Sequence, residues 1–108
     1  MSRDLRAIEA DFLTVSQIYA DRLGITLDGD WALLKLQEEL GELVQAHLRV
    51  TGRSRDKGED AAKLREALSD EAADILGMLL IYCQTQNLDI EAAAARKWFK
   101  HLPEAVDG

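Results

Sequence analysis

Leu36-Gln37-Glu38-Glu39-Leu40-Gly41-Glu42-Leu43 and Leu68-Ser69-Asp70-Glu71-Ala72-Ala73-Asp74-Ile75-Leu76 are the two stretches on which the reading of this chain turns. Each holds a carboxylate-x-x-carboxylate pair, Glu39/Glu42 and Glu71/Asp74, inside a segment with helical spacing of its apolar residues. At 3.6 residues per turn, positions i and i+3 share a face, so each pair makes a two-pronged oxygen cluster. Like charges at that spacing repel and weaken a helix, so a purely structural helix gains nothing from them. Oxygen-only clusters of this kind suit Mg²⁺ or Mn²⁺, hard cations that take carboxylate and water ligands.

Working outward, the first stretch belongs to a helix that begins near Trp31 and ends before Gly52. The second belongs to a helix that follows Gly58 and runs to about Gln86. Gly52-Arg53-Ser54-Arg55-Asp56-Lys57-Gly58 joins them, a short polar connection that makes the two helices antiparallel neighbours. The acidic pairs lie roughly 10 residues before the turn and 13 after it, or about 15 and 19 Å at 1.5 Å per residue. The spacing therefore predicts four carboxylates at one level of a helical hairpin.

The remaining segments are helical as well. Leu5, Ile8, Phe12, Val15 and Tyr19 step by three and four along a helix from about Asp4 to Leu23, which Gly24 ends. Asp30 is the expected N-cap of the second helix, whose apolar side holds Leu33, Leu36, Leu40, Leu43 and Val44. Asp89 caps a fourth helix through Ala92–Ala95 to about Lys100. The fold class is all-α: one domain over residues 1–108, an antiparallel bundle of about four helices. The third helix is apolar on every side after Ser69, so it must be surrounded by protein, and dimer or tetramer assembly is expected to complete the core. Asp74 is the only charged residue from Ala72 to Cys83 and is expected to be partly buried.

Composition removes several function classes. An apolar content of 47% and a single proline, Pro103, fit a compact helical protein. A net charge of −7 argues against nucleic-acid binding, which wants a basic face. Cys83 is the only cysteine, which forbids an internal disulfide and reads as a buried small hydrophobe in a reducing compartment. The longest apolar run, Ile75 to Cys83 counting Gly77, has nine residues where a membrane span needs about 20. The first residues carry no signal-peptide stretch. A cytoplasmic protein with no membrane partner is expected. A di-iron bundle needs Glu-x-x-His motifs, and neither His47 nor His101 stands three residues after an acid. His47 lies beside the apolar side near Leu40 and Leu43 and is expected to pack there. The loop pattern of an EF-hand is absent.

Taken together, Glu38-Glu39-x-x-Glu42, the spacer, and Glu71-x-x-Asp74 within Leu36–Leu43 and Leu68–Leu76 resemble the MazG-like, all-α nucleoside triphosphate pyrophosphohydrolases. The resemblance covers Trp31 to about Lys100. It implies a bundle built as a homodimer or homotetramer, dependence on Mg²⁺ (with Mn²⁺ as substitute), and cleavage of an NTP or dNTP to the monophosphate and pyrophosphate, a nucleotide-pool clean-up. Carried over residue by residue, Glu39, Glu42, Glu71 and Asp74 would hold metal. Glu38 and Glu39 would be the catalytic pair, Glu38 matching a position that binds a further metal or orients the attacking water. Lys97 and Lys100 stand where the family places phosphate-contacting cations. However, the Asn and Arg that often accompany them are replaced by His101 and Glu104. The residues themselves add two further expectations. Arg53, Arg55 and Lys57, between glycines, form a basic cluster suited to gripping a phosphate tail. Trp31, Met78 and Tyr82 are candidates for a base pocket. The competing reading is a non-catalytic helical dimerisation or adaptor module whose acidic patch meets a basic partner.

Overall fold

The structure is a computed structural model that describes residues 4–53 and 58–103. Four α-helices follow one another: α1 (Leu5–Leu23), α2 (Gly29–Val50), α3 (Ala61–Thr85) and α4 (Ile90–Lys97), with a 3₁₀ turn at Phe99–His101. There is no strand among the described residues.

Each helix starts on an aspartate whose carboxylate accepts a backbone N–H that the helix itself leaves unpaired. Asp4 takes that of Ala7 at 2.8 Å, Asp28 that of Trp31 at 2.8 Å, Asp60 that of Ala62 at 3.3 Å, and Asp89 that of Ala92 at 3.0 Å. The cap of α2 is thus Asp28 and not Asp30. The helix begins two residues earlier than its apolar pattern suggests, leaving Asp30 in the first turn, where a negative charge complements the helix dipole. The fourth helix is also shorter than expected. It stops at Lys97 and tightens into the 3₁₀ turn instead of running on to Lys100.

Packing centres on the α2–α3 hairpin. Gly52 takes the left-handed conformation (φ 74°) just past α2, and Arg53 N–H returns to the Leu48 carbonyl at 2.8 Å. This closure satisfies carbonyls at the helix end and reverses the chain. Arg49, in the last turn of α2, forms an ion pair with Glu59 just before α3, so the two helices are tied at the turn. Alanines let the backbones approach: Ala32 and Ala46 of α2 and Ala20 of α1 are buried along with Leu80, Ile81 and Cys83 of α3. Gly77 does the same for α1, since a Cβ there would lie 2.7 Å from the Phe12 ring. Leu80 and Ile81 are only 1% exposed and form the centre of the core.

Both α1 and α2 pack on α3, yet a single chain does not enclose it. Ala72, Ala73, Asp74 and Leu76 are all exposed. The expectation that Asp74 is partly buried therefore fails for the single chain, because Asp74 borders an open cleft between α1, α2 and α3 that no described residue fills. His47 is likewise exposed in the last turn of α2 rather than packed among leucines. Cys83 is buried as a small hydrophobe, and burial pushes its thiol above the usual range. No helix among the described residues is long and apolar enough to cross a membrane.

Candidate metal centre

The hairpin brings Glu39 and Glu42 of α2 to Glu71 of α3. One carboxylate oxygen from each lies within 4.8 Å of the others. Between Glu42 and Glu71 lie 28 residues, and only the antiparallel register unites them. Asp74, one helical turn beyond Glu71, adds its charge beside Glu39 at the mouth of an adjoining cleft. Glu38 points its carboxylate elsewhere, to Lys35 at 3.5 Å. Lys35 therefore pairs at i,i+3 with Glu38 instead of at i,i+4 with Glu39, and that salt bridge leaves the charge on Glu39 uncompensated.

The electrostatics of the cluster are unfavourable as it stands. Glu39 Oε2 and Glu71 Oε2 are buried and neither receives a hydrogen bond. Buried acceptors without a donor cost free energy, and ionised ones cost more. Carboxylates facing one another can hydrogen-bond only if one keeps a proton, and the acidities shift accordingly. Glu39 is raised to about 7, first by desolvation, then by the charges of Glu42 and Asp74. Glu71 is raised too, by desolvation and by its neighbour Glu42. Two donorless buried oxygens in an all-oxygen donor set are what a hard divalent cation would satisfy. The residues present thus fit Mg²⁺ or Mn²⁺.

This arrangement makes the metal-free protein sensitive to pH with a definite sign. A carboxyl raised in the folded state favours folding while it is protonated. Its contribution is complete below the unfolded value of about 4.5 and is lost as pH rises through about 7. In the presence of a chelator, the melting temperature is expected to fall between pH 5 and pH 8, a window above ordinary carboxylate titration. Excess Mg²⁺ should flatten or reverse the trend, because bound metal requires the ionised form. A chelated protein whose melting temperature is level or rises over that window would contradict the crowded cluster.

Comparison with protein-family models, with curated proteins and with solved structures finds no match.

Beside the carboxylates lies a cleft of about 320 Å³ lined by Val15, Ser16 and Tyr19 of α1, Trp31, Lys35 and Glu39 of α2, and Asp74 and Met78 of α3. Trp31 and Met78 thus face the same space as two of the acids. Tyr82, one turn beyond Met78, is half-buried and does not line it. Tyr19, Ser16, Val15 and Lys35 are the lining residues that sequence reasoning did not single out. Tyr19 belongs to the apolar stripe of α1 and reads there as core, although it is exposed. Arg53 is exposed at the turn, while Arg55 and Lys57 lie outside the described residues. Lys97 and Lys100 are exposed on α4 and the 3₁₀ turn, which pack on each other and make no substantial contact with α2. The single chain does not bring them to the carboxylates.

Proposed function

We propose that this chain is a Mg²⁺-dependent nucleoside triphosphate pyrophosphohydrolase acting as a homo-oligomer in the cytoplasm. The observation that carries the reading is the convergence of Glu39, Glu42 and Glu71 with two buried oxygens that lack donors. Its resemblance to the MazG-like motif pattern supports the same conclusion, as does the cleft that opens beside the cluster. Glu39, Glu42 and Glu71 would hold the cation, with Asp74 completing the set. When bound, Mg²⁺ supplies charge neutralisation for the triphosphate and activates water toward phosphorus. Glu38, exposed and paired with Lys35 in the metal-free chain, would leave that pair to take the proton of the attacking water. Trp31 and Met78, with Tyr19 opposite, offer faces on which a base stacks. Lys35, which lines the cleft, would supply positive charge beside a phosphate tail. Little covalent chemistry remains for the protein, so no nucleophilic side chain is needed. A reducing compartment suits the free, buried Cys83. Exposed Leu33, Leu40, Val44 and Leu76 on the hairpin fit an obligate interface in a dimer or tetramer. Those same side chains are what the competing adaptor reading would use.

A paired experiment tests the proposal. Mg²⁺ or Mn²⁺ at 100 times its Kd should stabilise the protein by about 2.7 kcal/mol, and the gain should persist in physiological salt. A diffuse acidic patch would give a small effect that salt removes. A panel of nucleoside triphosphates with Mg²⁺ should then release pyrophosphate from at least one. Stabilisation without turnover on any nucleotide would favour the adaptor reading, and absence of both would remove the metal centre.

A further inference from the structure

The end of α4 and the 3₁₀ turn carry Arg96-Lys97-Trp98-Phe99-Lys100-His101, three cations within five positions and no acid from residue 92 to 103. Trp98 is 70% exposed, Phe99 53% and the following Leu102 65%. None of α4 is buried. Its first half has company, with Ile90 and Glu91 bordering a cavity beside the start of α1 and Ala93 and Ala94 half-buried, whereas residues 95–103 are all exposed. Two large aromatics left in water on a short helix are costly unless something covers them, because each buries about 150–250 Å² in a packed setting.

The α2–α3 hairpin has the opposite character. It carries Glu38, Glu39, Glu42, Glu71 and Asp74 together with exposed Leu40, Val44 and Leu76. A cationic, aromatic segment and an acidic, apolar one are thus both uncovered in the same chain, and they do not pack on each other within it. We propose that residues 96–102 form an arm that docks on the α2–α3 hairpin of a second copy, reciprocally about a twofold axis. Lys97 and Lys100 then lie against the second copy's carboxylates, and Trp98 and Phe99 cover its apolar side chains.

A second copy is favoured over a polyanion by charge. The chain carries −7 in total, so nucleic acid or an anionic membrane meeting the arm would be repelled by the rest of the molecule. Another copy carries the same total, but its hairpin offers carboxylates and exposed leucines side by side, a local match to both the cations and the aromatics of the arm that a uniform polyanion lacks. Reciprocal exchange also reaches a workable size. Four aromatic rings contribute about 600–1,000 Å² of the roughly 1,600 Å² that a standard stable interface buries. A twofold arrangement uses each arm and each hairpin once and leaves neither open to further growth.

The test needs no catalytic activity and so stands apart from the pyrophosphohydrolase reading. Uniformly ¹⁵N-labelled and unlabelled protein, unfolded and refolded together, are treated with a carbodiimide that joins a lysine amine directly to a carboxylate. Mass spectrometry should find Lys97 or Lys100 joined to Glu38, Glu42 or Asp74, with about half the joined peptides of mixed isotope. Trp98→Ser combined with Phe99→Ser should weaken dimerisation at least tenfold in sedimentation. Because both residues are exposed in the single chain, its helical content should be unchanged. Crosslinks of one isotope only, crosslinks from Lys97 and Lys100 to other surfaces, or none at all would overturn the proposal. So would a double variant that dimerises like the wild type. A monomeric wild type that sediments with anionic vesicles or nucleic acid would assign the arm to a polyanion and overturn it as well. Should the double variant fail to fold, the crosslinking of unmodified protein still decides the matter.

Discussion

Glu39→Gln is expected to lower Mg²⁺-dependent pyrophosphate release by at least about a hundredfold, a loss of about 2.7 kcal/mol of transition-state stabilisation. Glu39 belongs to the three-carboxylate cluster and also lines the cleft, so it stands where cation and substrate would meet. Glutamine keeps the length and volume of the side chain but removes the negative charge a cation needs. The same substitution should stabilise the metal-free protein. It replaces a desolvated carboxylate, repelled by Glu42 and Asp74, with an amide that can donate hydrogen bonds to both. Activity falling while metal-free stability rises separates a site residue from a structural one, since a lost packing contact would lower both. Turnover close to wild type at limiting Mg²⁺ would exclude Glu39 as a ligand. A Glu39→Gln protein less stable than wild type in chelator would show that the cluster is not under the strain described.

Leu80→Ala is the second large effect, and it falls on the fold. Leu80 is 1% exposed near the C-terminal end of α3, the helix on which α1 and α2 both pack. Truncating such a leucine leaves a cavity and typically costs about 2–5 kcal/mol. Small domains hold only about 5–15 kcal/mol in reserve, so the variant should have a much lower midpoint in urea. Leu34, 67% exposed on α2, serves as the control and should lose far less on the same change. Equal losses at the two positions would mean that the helices pack differently from this arrangement.

The sequence was most informative where local rules and tertiary demands agree. Leu5, Ile8, Phe12, Val15 and Tyr19 set out α1 with its end at Gly24, and the polar connection around Gly52 made α2 and α3 antiparallel, which is enough to bring Glu39 and Glu42 to Glu71. It was less informative where neighbours compete for one role. Asp28 and Asp30 are both good caps, and only the backbone geometry, extended at Asp28, chooses between them. Lys35 can reach either Glu38 or Glu39, and their rotamers decide. The cleft was only half legible because Tyr19 and Ser16 reach it from α1, whose position against the hairpin no local pattern encodes. The exposure of Asp74 was hidden for a related reason: an apolar helix says that it needs cover but not whether its own chain provides it.

The hairpin that gathers the carboxylates is also the most local of the long-helix contacts, joining segments adjacent along the chain. Closing a short connection costs little entropy, so pairings of this kind tend to form early on the way to the native state. Charge crowding at Glu39, Glu42 and Glu71 would then be felt in the folding transition state and not only in the finished protein. A divalent cation that relieves it there acts on the rate of folding as well as on its end point. A newly made chain that binds such a cation would then be matured as well as equipped by it.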